Sequence, residues 1–211
     1  MHIADGALST EVMVVTNVAA VAAVGGSLRA IDYERVPRIG VLAAVFFLAS
    51  FIHIKIGPSS VHLLLNGLLG LLLGWAALPA LAVALFLQAI LFGYGGLTSL
   101  GANILVMGLP ALAVGWLFGR PCRQANGPGT AGLWGGLAGG LAVLLACFAM
   151  MGALHLSRPQ AYRLAIRALL LAHIPVIVVE AAVVGAAASL LHRVRPDLLA
   201  PPFAHDEAET Q

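Results

Sequence analysis

Charged residues are scarce in this chain, since Asp, Glu, Lys and Arg together make up 9% of its 211 residues. Soluble domains average about 25% charged residues, so the composition excludes an ordinary water-soluble domain. Hydrophobic residues make up 61%, and the mean hydropathy is +0.99. Because this apolar material is spread along nearly the whole chain, we predict an all-α fold, a bundle of membrane-spanning helices.

Several sequence features of other protein classes are also missing. The 11 Lys and Arg residues are dispersed and the formal net charge is +2, which excludes the clustered basic surface of a nucleic-acid-binding protein. Cys122 and Cys147 form no close-spaced metal motif. No Lys or Arg precedes Arg29, so the N-terminus does not resemble a secretory signal peptide and we expect it to be mature. The chain has no Gly-x-x-x-x-Gly-Lys-Ser/Thr loop, so energy from ATP would have to come through another subunit.

Seven apolar segments are candidate membrane spans. Their approximate bounds are 8–28, 39–54, 61–76, 79–94, 97–118, 132–154 and 161–191. We therefore predict one transmembrane domain over 1–192 and a polar cytoplasmic tail over 193–211, which has too little apolar content to fold alone. Seven spans place the termini on opposite sides, and the distribution of Arg residues among the loops favours an outside N-terminus and a cytoplasmic C-terminus.

Small residues lie one helical turn apart on the first segment, at Ala19 and Ala23 and again at Ala22 and Gly26. Such spacing lets helices approach closely. We consider the face formed by Ala19, Ala23 and Gly26 a possible docking surface for a partner helix. Ordinary packing within the bundle is the alternative.

His2 is the residue that points most directly to chemistry. The Met1 amine and the His2 amide nitrogen close a five-membered chelate ring with a metal, and the amide and imidazole of His2 close a six-membered one. Planar nitrogen coordination of this kind suits Ni(II) or Cu(II) better than tetrahedral zinc. A fourth nitrogen is required, and His62 at the start of the third segment is the best candidate. The alternative for His2 is a flexible, solvated chain end.

Three stretches carry a family resemblance: MHIADGALS at 1–9, PSSVHL at 58–63 and GYGGLTSLGAN at 93–103. In these the chain resembles the CbiM/NikM family, the nickel and cobalt substrate-capture subunits of energy-coupling factor transporters. The resemblance implies that 1–192 is a seven-helix metal-capture domain whose inserted N-terminal tip binds the ion through the Met1 amine, the His2 amide and imidazole, and His62. Tyr94 stands where we expect an acidic residue in many relatives, a departure that leaves the histidine ligands unaffected.

The resemblance also implies how the protein works in the cell. It implies a multi-pass protein of the cell membrane that takes up Ni(II) or Co(II), uses no organic cofactor and is not an enzyme. Its partners would be a transmembrane coupling subunit and two ATPase subunits, with room for a small accessory membrane subunit, in a lipid bilayer and without nucleic acid. The choice between nickel and cobalt stays open.

Other polar residues in the apolar segments are candidates for supporting roles. Asn66, one turn after His62 on the predicted third helix, could hydrogen-bond a metal ligand, as could Ser60 and Asn103. Gln88, Thr98, Ser99 and Asn103 form a polar set that could brace the loop covering the inserted N-terminus, with routine interhelical bonding as the alternative.

Four further residues are expected to be structural rather than metal ligands. We expect His53 and Lys55 to lie at the outer membrane interface, because Lys55 would repel a cation, with a position near the metal entrance as the alternative. His173 and Glu180 are seven residues apart on the last segment and share one helical face, and we expect both to make structural hydrogen bonds.

Two other functions are compatible with parts of the pattern. The chain could be a capture subunit for an organic vitamin, although aromatic residues make up only 7% of it, fewer than such a pocket is expected to use. It could also be an intramembrane hydrolase with zinc held by His62, His173 and Glu180. The chain lacks the His-Glu-x-x-His motif that would favour a hydrolase.

Overall fold

The computed structural model describes residues 2–29, 31–51, 53–56 and 59–199, with the backbone alone at 53–56, 59–62, 159 and 165–167. The described elements follow one another as α1 (Thr10–Leu28), α2 (Val36–Ala49), β1 (His53–Ile56), β2 (Ser59–His62), α3 (Asn66–Leu73), α4 (Ala77–Phe92), α5 (Leu100–Arg123), α6 (Pro128–Ser157) and α7 (Pro159–Val194). Short 3-10 turns occupy Tyr33–Arg35, Gly74–Ala76 and Pro196–Leu199. The predicted helical bundle is confirmed.

Five stretches of the described chain are long and apolar enough to cross a membrane: Thr10–Leu28, Asn66–Phe92, Leu100–Arg123, Pro128–Ser157 and Ala168–Val194. The second of these combines α3, the turn after it and α4. The described part has seven α-helices, but α2 with 14 residues and α3 with 8 are each shorter than the roughly 20 residues that a span needs. The prediction of seven spans, and the orientation that depends on it, stays a prediction.

Glycines bring the inner helices into close contact. α3 is buried along its whole length and packs against α5 and α6. A methyl group at Gly70 on α3 would lie 1.9 Å from the carbonyl oxygen of Ala111 on α5, and one at Gly185 on α7 would lie 2.8 Å from the carbonyl oxygen of Gly132 on α6. Small residues replace bulky side chains at such crossings because membrane helices gain stability from close packing. These contacts position α5 and α7, which carry Asn103 and Glu180, two of the polar residues described below.

The start of the third predicted segment is a β-hairpin rather than a helix. β1 and β2 pair antiparallel, with His53 opposite His62 and Ile56 opposite Ser59, and α3 begins only at Asn66. Our prediction that His62 and Asn66 lie one turn apart on a helix is therefore wrong. The segment is rich in β-branched residues, which favour strands, and a short apolar run does not by itself distinguish a strand from a helix.

The predicted boundary at residue 192 lies inside α7, which continues to Val194. The next turn, Pro196–Leu199, packs on the bundle, where Leu199 is buried. The Arg38 guanidinium donates hydrogen bonds to the carbonyl oxygens of Leu198 and Leu72, which joins α2, α3 and this turn. The predicted tail therefore starts later than 193, and its part over 200–211 lies outside the described residues.

Two of the three small residues predicted to form a docking face on α1 are exposed, and the third is partly buried. Ala19 and Gly26 are exposed, and no atom lies within 4 Å of a methyl group built on Gly26. Ala23 is partly buried against the core. The docking face of Ala19, Ala23 and Gly26 stays a prediction.

Candidate metal centre

The segment before α1 packs against α5 and α6, with Ile3 and Leu8 buried and Asp5 exposed. Ile3 is 1% exposed and packs with residues of α5 and α6, among them Ala102 and Ala146. The Asn103 side chain accepts from the Ile3 N–H at 2.8 Å and donates to the Ile3 carbonyl at 3.0 Å, while the Ser99 hydroxyl donates to the same carbonyl at 2.7 Å. An irregular backbone segment is tolerated inside a membrane bundle only when its polar groups are satisfied in this way.

Asp5 attaches the same segment to the start of α5. Its carboxylate accepts from the Thr98 N–H at 3.0 Å, the Thr98 hydroxyl at 2.6 Å and the Ser99 N–H at 3.1 Å. Ser99 is the N-cap residue of α5 and makes no side-chain cap bond of its own, so Asp5 supplies the negative charge that a helix N-terminus favours. The bond from the Thr98 hydroxyl is the main cause that lowers the pKa of Asp5 below its ordinary value.

Two glycines in the loop after α4 make room for the N-terminal segment. Gly95 and Gly96 have φ values of +81° and +133°, which residues with a Cβ rarely adopt. The Gly95 carbonyl accepts from the Asp5 N–H at 3.0 Å. A methyl group at Gly96 would lie 2.1 Å from Cγ of Asp5, and one at Gly95 would lie 2.7 Å from Nδ2 of Asn103. Both positions therefore require glycine.

His2 is held in this setting with its ring neutral. Its Nε2 lies 2.9 Å from Oε1 of Gln88 on α4, and its ring centroid lies 5.9 Å from that of Tyr94. Burial is the main cause that lowers the pKa of His2 to about 4, although the bond to Gln88 acts in the opposite direction. A neutral imidazole has a lone pair available for a metal ion. His2 is thus chemically prepared to act as a ligand.

The other predicted ligands lie only partly within the described residues. Met1 lies outside them. His62 and Ser60 belong to β2, where only the backbone is described, and the same holds for His53 and Lys55 in β1.

Asn66 and Asn103 have different contacts, although both were candidates to support a ligand. Asn66 is fully buried at the start of α3, donates to the Met107 carbonyl at 3.2 Å and accepts from the Gly67 N–H at 3.1 Å. It therefore joins α3 to α5. Of these two asparagines, Asn103 is the one whose side chain bonds to the N-terminal segment.

Glu180 is fully buried on α7 and supports the other half of the candidate site. Its carboxylate accepts from the N–H groups of Leu64 and Leu65, the latter at 3.0 Å. Leu65 is the N-cap residue of α3, has a φ of +49° and makes no side-chain cap bond. Glu180 thus holds the chain two residues after His62. His173 has a separate contact, since its Nδ1 lies 2.8 Å from the Leu169 carbonyl one turn earlier.

Our sequence analysis grouped Gln88, Thr98 and Ser99 in a polar set around the inserted N-terminus, but it named neither the contact of Asp5 with Thr98 and Ser99 nor that of His2 with Gln88. Each joins residues more than 80 positions apart. The available signals were an acidic residue next to an apolar segment and a glutamine within one, since polar groups in membrane segments often have functional roles. Neither signal identifies the residue to which the Asp5 or Gln88 side chain bonds.

Long apolar helices around an inserted N-terminal histidine define a multi-pass membrane protein with a candidate cation site. The chain belongs to the CbiM family, described as the cobalt uptake substrate-specific transmembrane region, whose model matches residues 2–198. It is a nickel/cobalt transport membrane component of the CbiM/NikM type and not an enzyme.

Individual relatives agree with this assignment. A Haemophilus influenzae protein named for metal transport is 37% identical over 203 residues, with 94% of this chain and 97% of the relative covered. The cobalt transport protein CbiM of Geobacter sulfurreducens is 30% identical, with 80% of this chain and 51% of the relative covered. The crystal structure of a transition metal transporter superposes with a TM-score of 0.76 at 27% identity, covering 92% of this chain and 93% of the other.

Proposed function

We propose that this chain is the substrate-capture subunit of an energy-coupling factor transporter and binds Ni(II) or Co(II) for uptake. Its ligands would be the Met1 amine, the amide and imidazole nitrogens of His2, and the His62 imidazole. The observation that supports this most strongly is the position of the His2 ring, which is partly buried and has Nε2 2.9 Å from Oε1 of Gln88. A solvated chain end would have neither property.

The contacts of the N-terminal segment favour chelation by the chain end. Asn103 and Ser99 hold the backbone of Ile3, and Asp5 holds the next turn. With these residues fixed, the ordering entropy that a metal would otherwise have to overcome at a flexible terminus is already lost on folding. Metal binding then requires deprotonation of the amine and the amide, so it releases protons.

Glu180 supports the assignment of His62 as the fourth ligand. It binds the backbone N–H groups of Leu64 and Leu65, which lie directly after β2. The hairpin register limits the strand further by pairing His62 with His53. These contacts hold the backbone of β2 at both ends of the stretch that leads into α3.

We propose that the energy for uptake comes from a transmembrane coupling subunit and two ATPase subunits, with a small accessory membrane subunit as a further partner. The chain has no phosphate-binding loop of the Walker type. α1 offers an exposed apolar surface, with Val15, Val18 and Val21 all more than 60% exposed. The adjoining Ala19 and Gly26 leave room for a partner helix to approach closely.

The decisive experiment compares metal binding by protein with a free Met1 amine and by protein extended by three residues ahead of Met1. A matched control carries the same three residues after Gln211. We expect isothermal titration with Ni(II) to show at least a 100-fold weaker affinity for the N-terminal extension, because a peptide bond removes the amine as a ligand. The C-terminal extension should bind like the unmodified protein. Equal binding by all three would exclude the N-terminal chelate.

A further inference from the structure

We propose that Gln88 is a positioning residue that sets the tautomer of His2, keeping the proton on Nε2 so that Nδ1 is the unprotonated ring nitrogen. This inference rests on the proposed N-terminal chelate. It assigns a role to a fully buried glutamine on α4, a helix that supplies none of the proposed ligands.

The chelate requires one particular ring nitrogen. A metal on the His2 amide nitrogen is connected to Nδ1 through Cα, Cβ and Cγ, which closes a six-membered ring. A bond to Nε2 of the same residue would close a larger ring across the imidazole, with both nitrogen lone pairs directed away from a common centre. Only a neutral His2 with its proton on Nε2 therefore presents a usable lone pair.

The contact with Gln88 selects that tautomer. Nε2 of His2 lies 2.9 Å from Oε1 of Gln88, and an amide oxygen only accepts hydrogen bonds. Nε2 must therefore be the donor, which leaves Nδ1 unprotonated in the neutral ring. Hydrogen bonds from the remote ring nitrogen of a metal-binding histidine commonly fix the orientation of the ring in this way.

The amide nitrogen of Gln88 indicates that the contact with His2 is why a glutamine occupies position 88. Within the described part of the chain, Nε2 of Gln88 is buried and has no hydrogen-bond partner. A buried donor without a partner destabilises the folded state, and an apolar residue at position 88 would avoid that cost. Local costs of this kind are expected where a side chain serves a functional site.

The direct test is the tautomer itself, measured by 15N NMR on purified, metal-free protein with labelled histidine, using His2→Ala to assign the His2 signals. We expect His2 to show the shifts of a ring protonated on Nε2. In Gln88→Met, which keeps the side-chain length but removes the acceptor, we expect a mixture of tautomers. A wild-type ring protonated on Nδ1 would overturn the proposal.

Ni(II) titration of the same proteins gives the functional consequence. Loss of a hydrogen bond to a metal-binding histidine typically weakens binding about 10- to 100-fold, and we expect that range for Gln88→Met. Gln88→Glu retains an acceptor and should bind within about threefold of wild type. Leu85→Met, a buried apolar exchange one turn earlier on α4, controls for repacking and should have no effect. Equal affinity of Gln88→Met and wild type would overturn the proposal.

The two proposals fail differently. If wild-type protein with a free amino terminus does not bind Ni(II) or Co(II), the proposed function fails whatever the His2 tautomer is. If it binds the metal with His2 protonated on Nδ1 in the metal-free state, only the role of Gln88 fails.

Discussion

Replacing Gly96 by alanine should weaken metal binding from a distance, by releasing the N-terminal segment. The Gly96 φ of +133° costs a residue with a Cβ on the order of 1–3 kcal/mol. Its new methyl group would lie 2.1 Å from Cγ of Asp5, so Asp5 would have to move away from Thr98 and Ser99. Each hydrogen bond to a carboxylate contributes about 1.5–3 kcal/mol when buried and less at this exposed position.

We expect Gly96→Ala to reduce the free energy that holds the segment in place by about 2 kcal/mol. A change of that size corresponds to a loss of Ni(II) affinity of up to about 30-fold, because only the docked segment presents His2 to the metal. Isothermal titration measures the affinity. Hydrogen exchange of the Ile3 and Asp5 amides, which bond to Asn103 and to the Gly95 carbonyl, reports docking independently and should become faster.

Gly93→Ala is the matched control. Gly93 also has a positive φ, +66°, but no atom lies within 4 Å of a methyl group built there. This variant should lose about 1 kcal/mol of stability, the usual difference between glycine and alanine in the left-handed region, and keep its affinity and its amide protection. If both variants weaken Ni(II) binding equally, or neither does, the contact between Asp5 and the glycine loop is not what holds the segment.

Two further substitutions test the packing and the support of β2. Gly70→Ala should lower the thermal denaturation temperature in detergent, because its methyl group would meet the Ala111 carbonyl at 1.9 Å and overpacking costs about 1–3 kcal/mol. Gly25→Ala on the exposed side of α1 should not, and equal shifts would contradict the close crossing. Glu180→Ala leaves two buried N–H groups without their acceptor at about 1–3 kcal/mol each, so Ni(II) affinity should fall more than tenfold. Glu180→Gln should fall less, since an amide oxygen still accepts. Unchanged affinity in both would restrict Glu180 to a role in stability.

The helices were predictable because their signal is local. Apolar runs about the length of a bilayer predict α1 at 8–28 and the structure has Thr10–Leu28, and the predicted segment at 132–154 lies within Pro128–Ser157. The β-hairpin was not predictable in this way. Its strands have four residues each, which is too short for a periodicity to separate strand from helix.

The contacts that support the candidate site were harder to predict from the sequence than the helices. His2 could be selected because the chemistry of its chelate lies within two adjacent residues. Its partner Gln88 is 86 positions away, and a single sequence contains no local pattern that joins the two. The same holds for Glu180, whose buried carboxylate could be recognised as unusual in an apolar helix but whose partners, Leu64 and Leu65, could not.

Asn103 bonds to both main-chain groups of Ile3 and thereby fixes one point of the N-terminal segment against α5. The amide bonds to main-chain groups rather than to a side chain, so these bonds do not depend on which apolar residue occupies position 3. The proposed ligands Met1 and His2 come directly before this attachment in the sequence. Adding or removing one residue ahead of Ile3 would change the length of the segment that carries the proposed ligands. The hydrogen bonds between Ile3 and Asn103 would stay intact.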